Sequence, residues 1–184
     1  MILLKKLEKR LKEEIKMNLK FYLEKLYTSK EFKQFKEENP NAFLCSGFFI
    51  IDKQGKNNKQ HFDFYSPSKK KMFSFQLEDE IKLVPVEMFK DKIPGRILFG
   101  GDLNFEEIET LIVSEMDKQK IKNKIQKILL SLQNLDGKDF LIGTIFISTL
   151  GLLKINIDVS EKKVTSFEKK SLFDMIKVIK KKDK

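Results

Sequence analysis

The sequence predicts an α+β protein of two tandem units, each running helix, helix, strand, strand, strand, with antiparallel sheet packed on the helices and a short C-terminal helix. Three observations carry this expectation. Apolar residues recur at steps of three and four over residues 2–26 and again over 104–132. Each helical stretch is followed by short runs rich in Phe, Ile and Val that alternate with polar residues. Finally, Lys70-Lys71-Met72-Phe73-Ser74-Phe75 aligns with Lys162-Lys163-Val164-Thr165-Ser166-Phe167, and Phe43-Leu44 with Phe140-Leu141, so residues 28–77 are expected to superpose on about 119–168. The units divide as 1–101, including a connecting segment, and 102–184, within one compact structural domain.

Leu4, Leu7, Leu11, Ile15, Leu19, Tyr22 and Leu26 make one stripe of a first helix. A second starts at Thr28, which has capping-box spacing to Glu31, turns Phe32 and Phe35 inward, and stops at Asn39-Pro40. Strands follow over 43–51, 61–65 and 72–77, with polar turns at 52–59 and at Ser66-Pro67-Ser68. Residues 81–86 read as a strand interrupted by Pro85, and Pro94-Gly95 and Gly100-Gly101 as turns. Asn104 and Glu107 open another helix, whose stripe continues through Ile121, Ile125, Ile128, Leu129 and Leu132 to a stop at Asp136-Gly137. Strands at 140–148, 152–159 and 164–168 and a helix at 172–180 complete the chain. Phe43, Phe62, Phe64, Phe73, Phe75, Ile155, Ile157 and Phe167 are the expected core.

Composition narrows the function. The chain has 184 residues, 41% hydrophobic and 35% charged, and so can bury a core. Cys45 is the single cysteine, which excludes an intramolecular disulfide and suits a reducing, cytoplasmic setting. The charged N-terminus has no secretory pattern, and the apolar run 140–153 is short of the roughly 20 residues of a membrane span. Net charge is +10, yet arginine occurs only at Arg10 and Arg96. Lysine attracts phosphate as a point charge, whereas arginine forks read base edges, so nucleic-acid binding is expected to be weak and non-specific. Residues 78–117 carry 11 acidic against 4 basic groups, an acidic middle between basic flanks that suits internal compensation.

The search for chemistry leaves little. His61 is the single histidine, which excludes multi-histidine metal sites, and no cofactor signature is present. A Cys45–His61 dyad is conceivable, but Cys45 sits among Phe43, Leu44, Phe48 and Phe49, where a buried thiol is the ordinary outcome. Gly95 to Gly101 has P-loop-like glycine spacing without the Lys-Ser/Thr that holds phosphate, and reads as a turn before a helix.

The sheet carries the functional expectation. Alternation places His61, Asp63 and Tyr65, Ser74 and Gln76, and Lys154, Asn156 and Asp158 opposite the core positions, on an outer face suited to a protein partner or self-association. Phe43–Ile51 and Phe140–Ser148 are apolar on both faces. Either the final helix or the 80–100 segment covers their second face, or a partner does. A non-catalytic binding or regulatory role is the leading reading, with a lysine-rich nucleic-acid- or ribosome-associated protein as the alternative and a small-ligand binder or enzyme behind it.

One local pattern adds to this. Lys154-Ile155-Asn156-Ile157-Asp158, a Lys-rich turn and Val164-Thr165-Ser166-Phe167 resemble the hairpin of PepSY-type domains, and Phe62–Tyr65 with Lys71–Phe75 is a looser copy. The resemblance implies helix-plus-antiparallel-sheet units, sometimes in tandem, and, after the better-known members, which are secreted or membrane-associated, a role as modulator of a protease or other enzyme.

Overall fold

The computed structural model describes residues 18–55, 57–87, 93–100 and 104–171; the first helix before residue 18 and the expected C-terminal helix lie outside these. Helix α1 (Leu19–Thr28) is capped by Asn18, whose Oδ1 accepts the Lys20 N–H at 2.8 Å, and buries Leu19, Tyr22, Leu23 and Leu26. It ends at Ser29, which caps α2 (Lys30–Glu38) by accepting the Phe32 N–H at 3.1 Å. The cap therefore falls one residue after the expected Thr28. Asn39 closes α2, its main-chain and side-chain N–H groups both donating to the Phe35 carbonyl at 2.9 Å. Helix α3 (Phe105–Lys118) opens at Asn104 and buries Phe105, Ile108, Ile112 and Met116. Asn18 and Asn104 form an antiparallel bridge, which sets the starts of α1 and α3 side by side.

Eight strands form one antiparallel sheet, ordered β4-β3-β2-β1-β5-β6-β7-β8. They are β1 (Phe43–Asp52), β2 (Lys59–Ser66), β3 (Lys71–Gln76), β4 (Lys82–Val86), β5 (Ile125–Leu135), β6 (Lys138–Ile147), β7 (Gly151–Asp158) and β8 (Lys163–Ser171). Two four-stranded meanders thus meet through β1 and β5, which pair antiparallel at the centre. Pro85 sits in β4, at an edge, where its missing N–H is tolerated.

This overturns the expected pair of helix-helix-strand-strand-strand units. The second meander has one helix and four strands, because Ile125–Leu135 is strand and not helix. The reason is local and then tertiary. Helix α3 stops in a Schellman motif: Lys120, at φ 56°, sends its N–H to Asp117 O at 3.0 Å, and Ile121 sends its own to Met116 O at 2.8 Å. A lysine occupies the left-handed position that glycine usually advertises. At the far end Asp136 and Gly137, at φ 51° and 83°, make the two-residue turn of a β5–β6 hairpin, where the sequence suggested a helix stop. Ile128, Leu130 and Leu132 then alternate inward with no exposed area. The alignment of 28–77 with 119–168 fails with it. That alignment equates β1 with β6, whereas the strand beside β1, opening the second meander, is β5.

The three helices among the described residues pack on one face, the inner face. Phe32 meets Phe64 at 5.2 Å between ring centroids, Phe35 meets Phe75 edge-to-face at 5.2 Å, and Phe105 meets Phe49 at 5.2 Å. Phe62, Phe64, Phe75, Ile155 and Ile157 are buried as expected, and Phe73 and Phe167 pack at the margin of the core. Phe43 does not belong there. A bulge at Cys45 breaks the alternation of β1, so Leu44 faces inward opposite Phe64 while Phe43 turns outward, its ring 5.7 Å from that of Tyr65.

Candidate functional site

The outer face is built by the register of the strands. One cross-strand row runs Gln76, His61, Phe48, Ser131, Ile142, Asn156, Ser166. The row on one side runs Lys59, Ile50, Leu129, Thr144, Lys154, Glu168. On the other side it runs Ser74, Asp63, Ser46, Gln133, Phe140, Asp158, Lys163. Beyond the second row, Lys127 stands beside Phe146 and Phe146 beside Leu152. The centre of the face, on β1, β5 and β6, is therefore apolar: Phe48, Ile50, Leu129, Ile142 and Phe146. All five are partly exposed, and none belongs to the buried core cluster.

The eight residues expected on this face do lie on its side of the sheet, but in two groups. His61, Asp63, Tyr65, Ser74 and Gln76 belong to β2 and β3, and Lys154, Asn156 and Asp158 to β7. Four strand steps separate β2 from β7, about 19 Å at roughly 4.8 Å per step. Within each group the roles differ. His61 Nε2 lies 2.7 Å from Glu78 Oε1, and Asp63 accepts the Ser46 hydroxyl at 2.6 Å. Gln76 and Asn156 are partly exposed and Lys154 is exposed, whereas Tyr65 and Ser74 are buried. Asp158 is also buried and serves its own turn, accepting the Ser160 hydroxyl at 2.7 Å and the N–H groups of Ser160 and Glu161 at 3.0 and 3.1 Å. Those donors, the Ser160 hydroxyl first, hold its carboxyl below the usual carboxylate range.

The central residues Phe48, Ile50, Ile142 and Phe146 were signalled by the two-faced apolarity of the strands that carry them. Leu129 was hidden by the helical reading of its segment.

Cys45 and His61 take different partners. The Cys45 thiol donates to the Asp63 carbonyl at 3.3 Å, and burial, with the Asp63 charge beside it, pushes its pKa up to about 12. His61 turns instead to Glu78, its ring 6.1 Å from that of Phe48. The 93–100 segment crosses from the outer face to the inner one. Ile93 and Pro94 stand with Cys45, Ser131 and Gln133 around a cleft of about 330 Å³, and further on the Ile97 N–H donates to Leu44 O at 2.9 Å. The glycine-rich stretch is thus a strap over the end of the sheet. Among the described residues no helix is long and apolar enough to cross a membrane.

These features define an α+β chain with a large antiparallel sheet, helices on one face and a partly apolar second face. No family model and no curated protein matches it. Among solved structures, the crystal structure of "a putative lipoprotein" from Clostridium difficile 630 superposes with a TM-score of 0.52 at 12% identity, covering 76% of this chain and 90% of that one. At that identity the likeness is one of fold.

Proposed function

We propose that the chain is a non-catalytic binding or regulatory protein that engages a protein partner through the outer face of its sheet. The observation that carries the reading is the cluster of Phe48, Ile50, Leu129, Ile142 and Phe146 on a face that no described helix covers. An apolar centre between polar margins, with His61 and Asp63 on one side and Lys154 and Asn156 on the other, has the anatomy of a protein interface. The hairpin resemblance to PepSY-type domains, as modulators of proteases or other enzymes, points the same way.

Nucleic acid stands second. Six described lysines stand beside carboxylates: Lys69, Lys118 and Lys138, and also Lys53 with Glu109 at 2.6 Å, Lys162 with Glu107 at 2.7 Å and Lys170 with Glu168 at 3.3 Å. Such pairing leaves less free charge for phosphate. We also place the protein in the cytoplasm, following its single cysteine. The description of the structural neighbour as a lipoprotein is the competing indication, and Cys45 itself, buried within β1, is no attachment point for a lipid.

The test is affinity capture from the native cell with the intact chain and with Ile142→Asp, each with and without nuclease. A charge at the centre of the face is expected to abolish recovery of a nuclease-resistant partner while the circular dichroism spectrum is kept. Recovery that Ile142→Asp leaves unchanged, or that nuclease removes, would count against the reading.

A further inference from the structure

A second concave site lies at the end of the sheet where β1 begins, apart from the apolar centre of the outer face. The corner between α1 and α2, the residues that follow α2 and the 93–100 strap border a shallow, open cleft of about 370 Å³, near the lower end of small-ligand sites. Phe32, Leu44 and Phe64 line it from the core side, and Tyr27 and Phe99 from the flanks. Its lining includes two charged side chains, Lys36 and Arg96, and both are cations.

Each cation is held from behind. Lys36 Nζ donates to the carbonyls of Pro40 and Ala42 at 2.8 and 3.0 Å, which uses two of its three N–H groups. Arg96 has no carboxylate partner among the described residues, and its guanidinium lies over the Phe43 ring, 4.5 Å from the centroid. The strap that carries Arg96 is anchored on both sides. Gly95 presses on Asn134 so closely that a Cβ would lie 2.9 Å from the Asn134 side chain, and the N–H groups of Leu98 and Phe99 donate to Asp139 Oδ2 at 2.8 and 2.7 Å. An arginine fork laid over an aromatic ring, with no anion beside it and an aromatic cleft without an acid next to it, is complementary to a carboxylate with an apolar body.

We infer that this cleft receives a small amphiphilic carboxylate, an aliphatic or aromatic acid whose apolar body lies against Tyr27, Phe32 and Leu44 and whose carboxylate is taken by Arg96. Lys36 adds a second positive charge to the lining. The cleft is too small for a folded partner, and a free phosphate would leave its aromatic residues without an apolar body to cover them and would find no nest of N–H donors.

The experiment is an amide NMR titration of the full chain with sodium octanoate and with 2-naphthoate, using 1-octanol as the uncharged match. The expected result is saturable shifts at Phe32, Leu44, Ile97 and Phe99 with at least one of the acids. Arg96→Gln, at an exposed position, is expected to weaken that acid about tenfold and to leave any octanol binding unchanged, with part of the affinity restored by Arg96→Lys. Absence of saturable shifts with both acids overturns the inference. So does an affinity indifferent to Arg96→Gln, or shifts centred on Phe48 and Phe146. None of these outcomes depends on whether the outer face binds a protein.

Discussion

Phe48 and Phe49 are neighbours on one strand and point to opposite faces, so replacing each by alanine weighs the two faces against each other. Phe49 is 1% exposed, with its ring centroid 5.6 Å from that of Phe62 and 5.2 Å from that of Phe105. It also lies over Gly47, where a Cβ would come within 2.9 Å of Phe49 Cζ. Removing the ring forfeits its transfer free energy, roughly 2–3 kcal/mol, and two aromatic contacts of about 0.5–1.5 kcal/mol each. The glycine beneath it offers no side chain to fill the space. Phe49→Ala is therefore expected to cost about 4 kcal/mol, within the usual range for such cavities. Phe48 is partly exposed and meets no described helix, so Phe48→Ala is expected to cost about 1 kcal/mol from the area term alone. Urea denaturation followed by circular dichroism reads both, with equal slopes if the denatured states match. In thermal melts the difference of about 3 kcal/mol corresponds to roughly 6–12 °C for a chain of this size. Equal losses for the two variants would refute the reasoning, since they would mean that the outer face is packed as tightly as the inner one.

Two further outcomes follow from single contacts. Gly143→Ala places a Cβ 2.5 Å from Cγ2 of Ile155, a stiff β-branched side chain that is 1% exposed, and 3.2 Å from Leu130. Overpacking of about 1–3 kcal/mol then outweighs the roughly 0.5–1 kcal/mol that alanine gains over glycine in a strand, and a raised denaturation midpoint would contradict this. Asp158 has a carboxyl held below its usual range, so its contribution is present above about pH 4 and is lost as pH falls through the lower folded value. Midpoints measured against pH should show the native chain ahead of Asp158→Asn near neutrality and the gap closing in acid, and a gap constant with pH would tell against the assignment.

What could be read directly were the local hairpins. Phe62 and Phe64 alternating with His61 and Asp63, and Ile155 and Ile157 alternating with Lys154 and Asn156, set the face of each residue without reference to distant strands. The caps at Asn104 and Asn39-Pro40 likewise act within a few residues of themselves. Where one residue broke the pattern the reading slipped: the bulge at Cys45 turned Phe43 outward.

The segment 125–135 needed the tertiary structure. Ile125, Ile128, Leu129 and Leu132 fit a helix, and Ile128, Leu130 and Leu132 fit a strand equally well. Its hydrogen bonds to β1 and β6 settle the choice, and those partners are distant in the sequence or lie beyond a turn that reads as a helix stop. The candidate face depends on the same decision. The sequence by itself determined that polar residues of β2, β3 and β7 oppose the core, because side-chain direction repeats every two residues. Only the insertion of β5 between β1 and β6 decided that they form two margins around an apolar centre, because strand order rests on pairing between residues far apart in the chain.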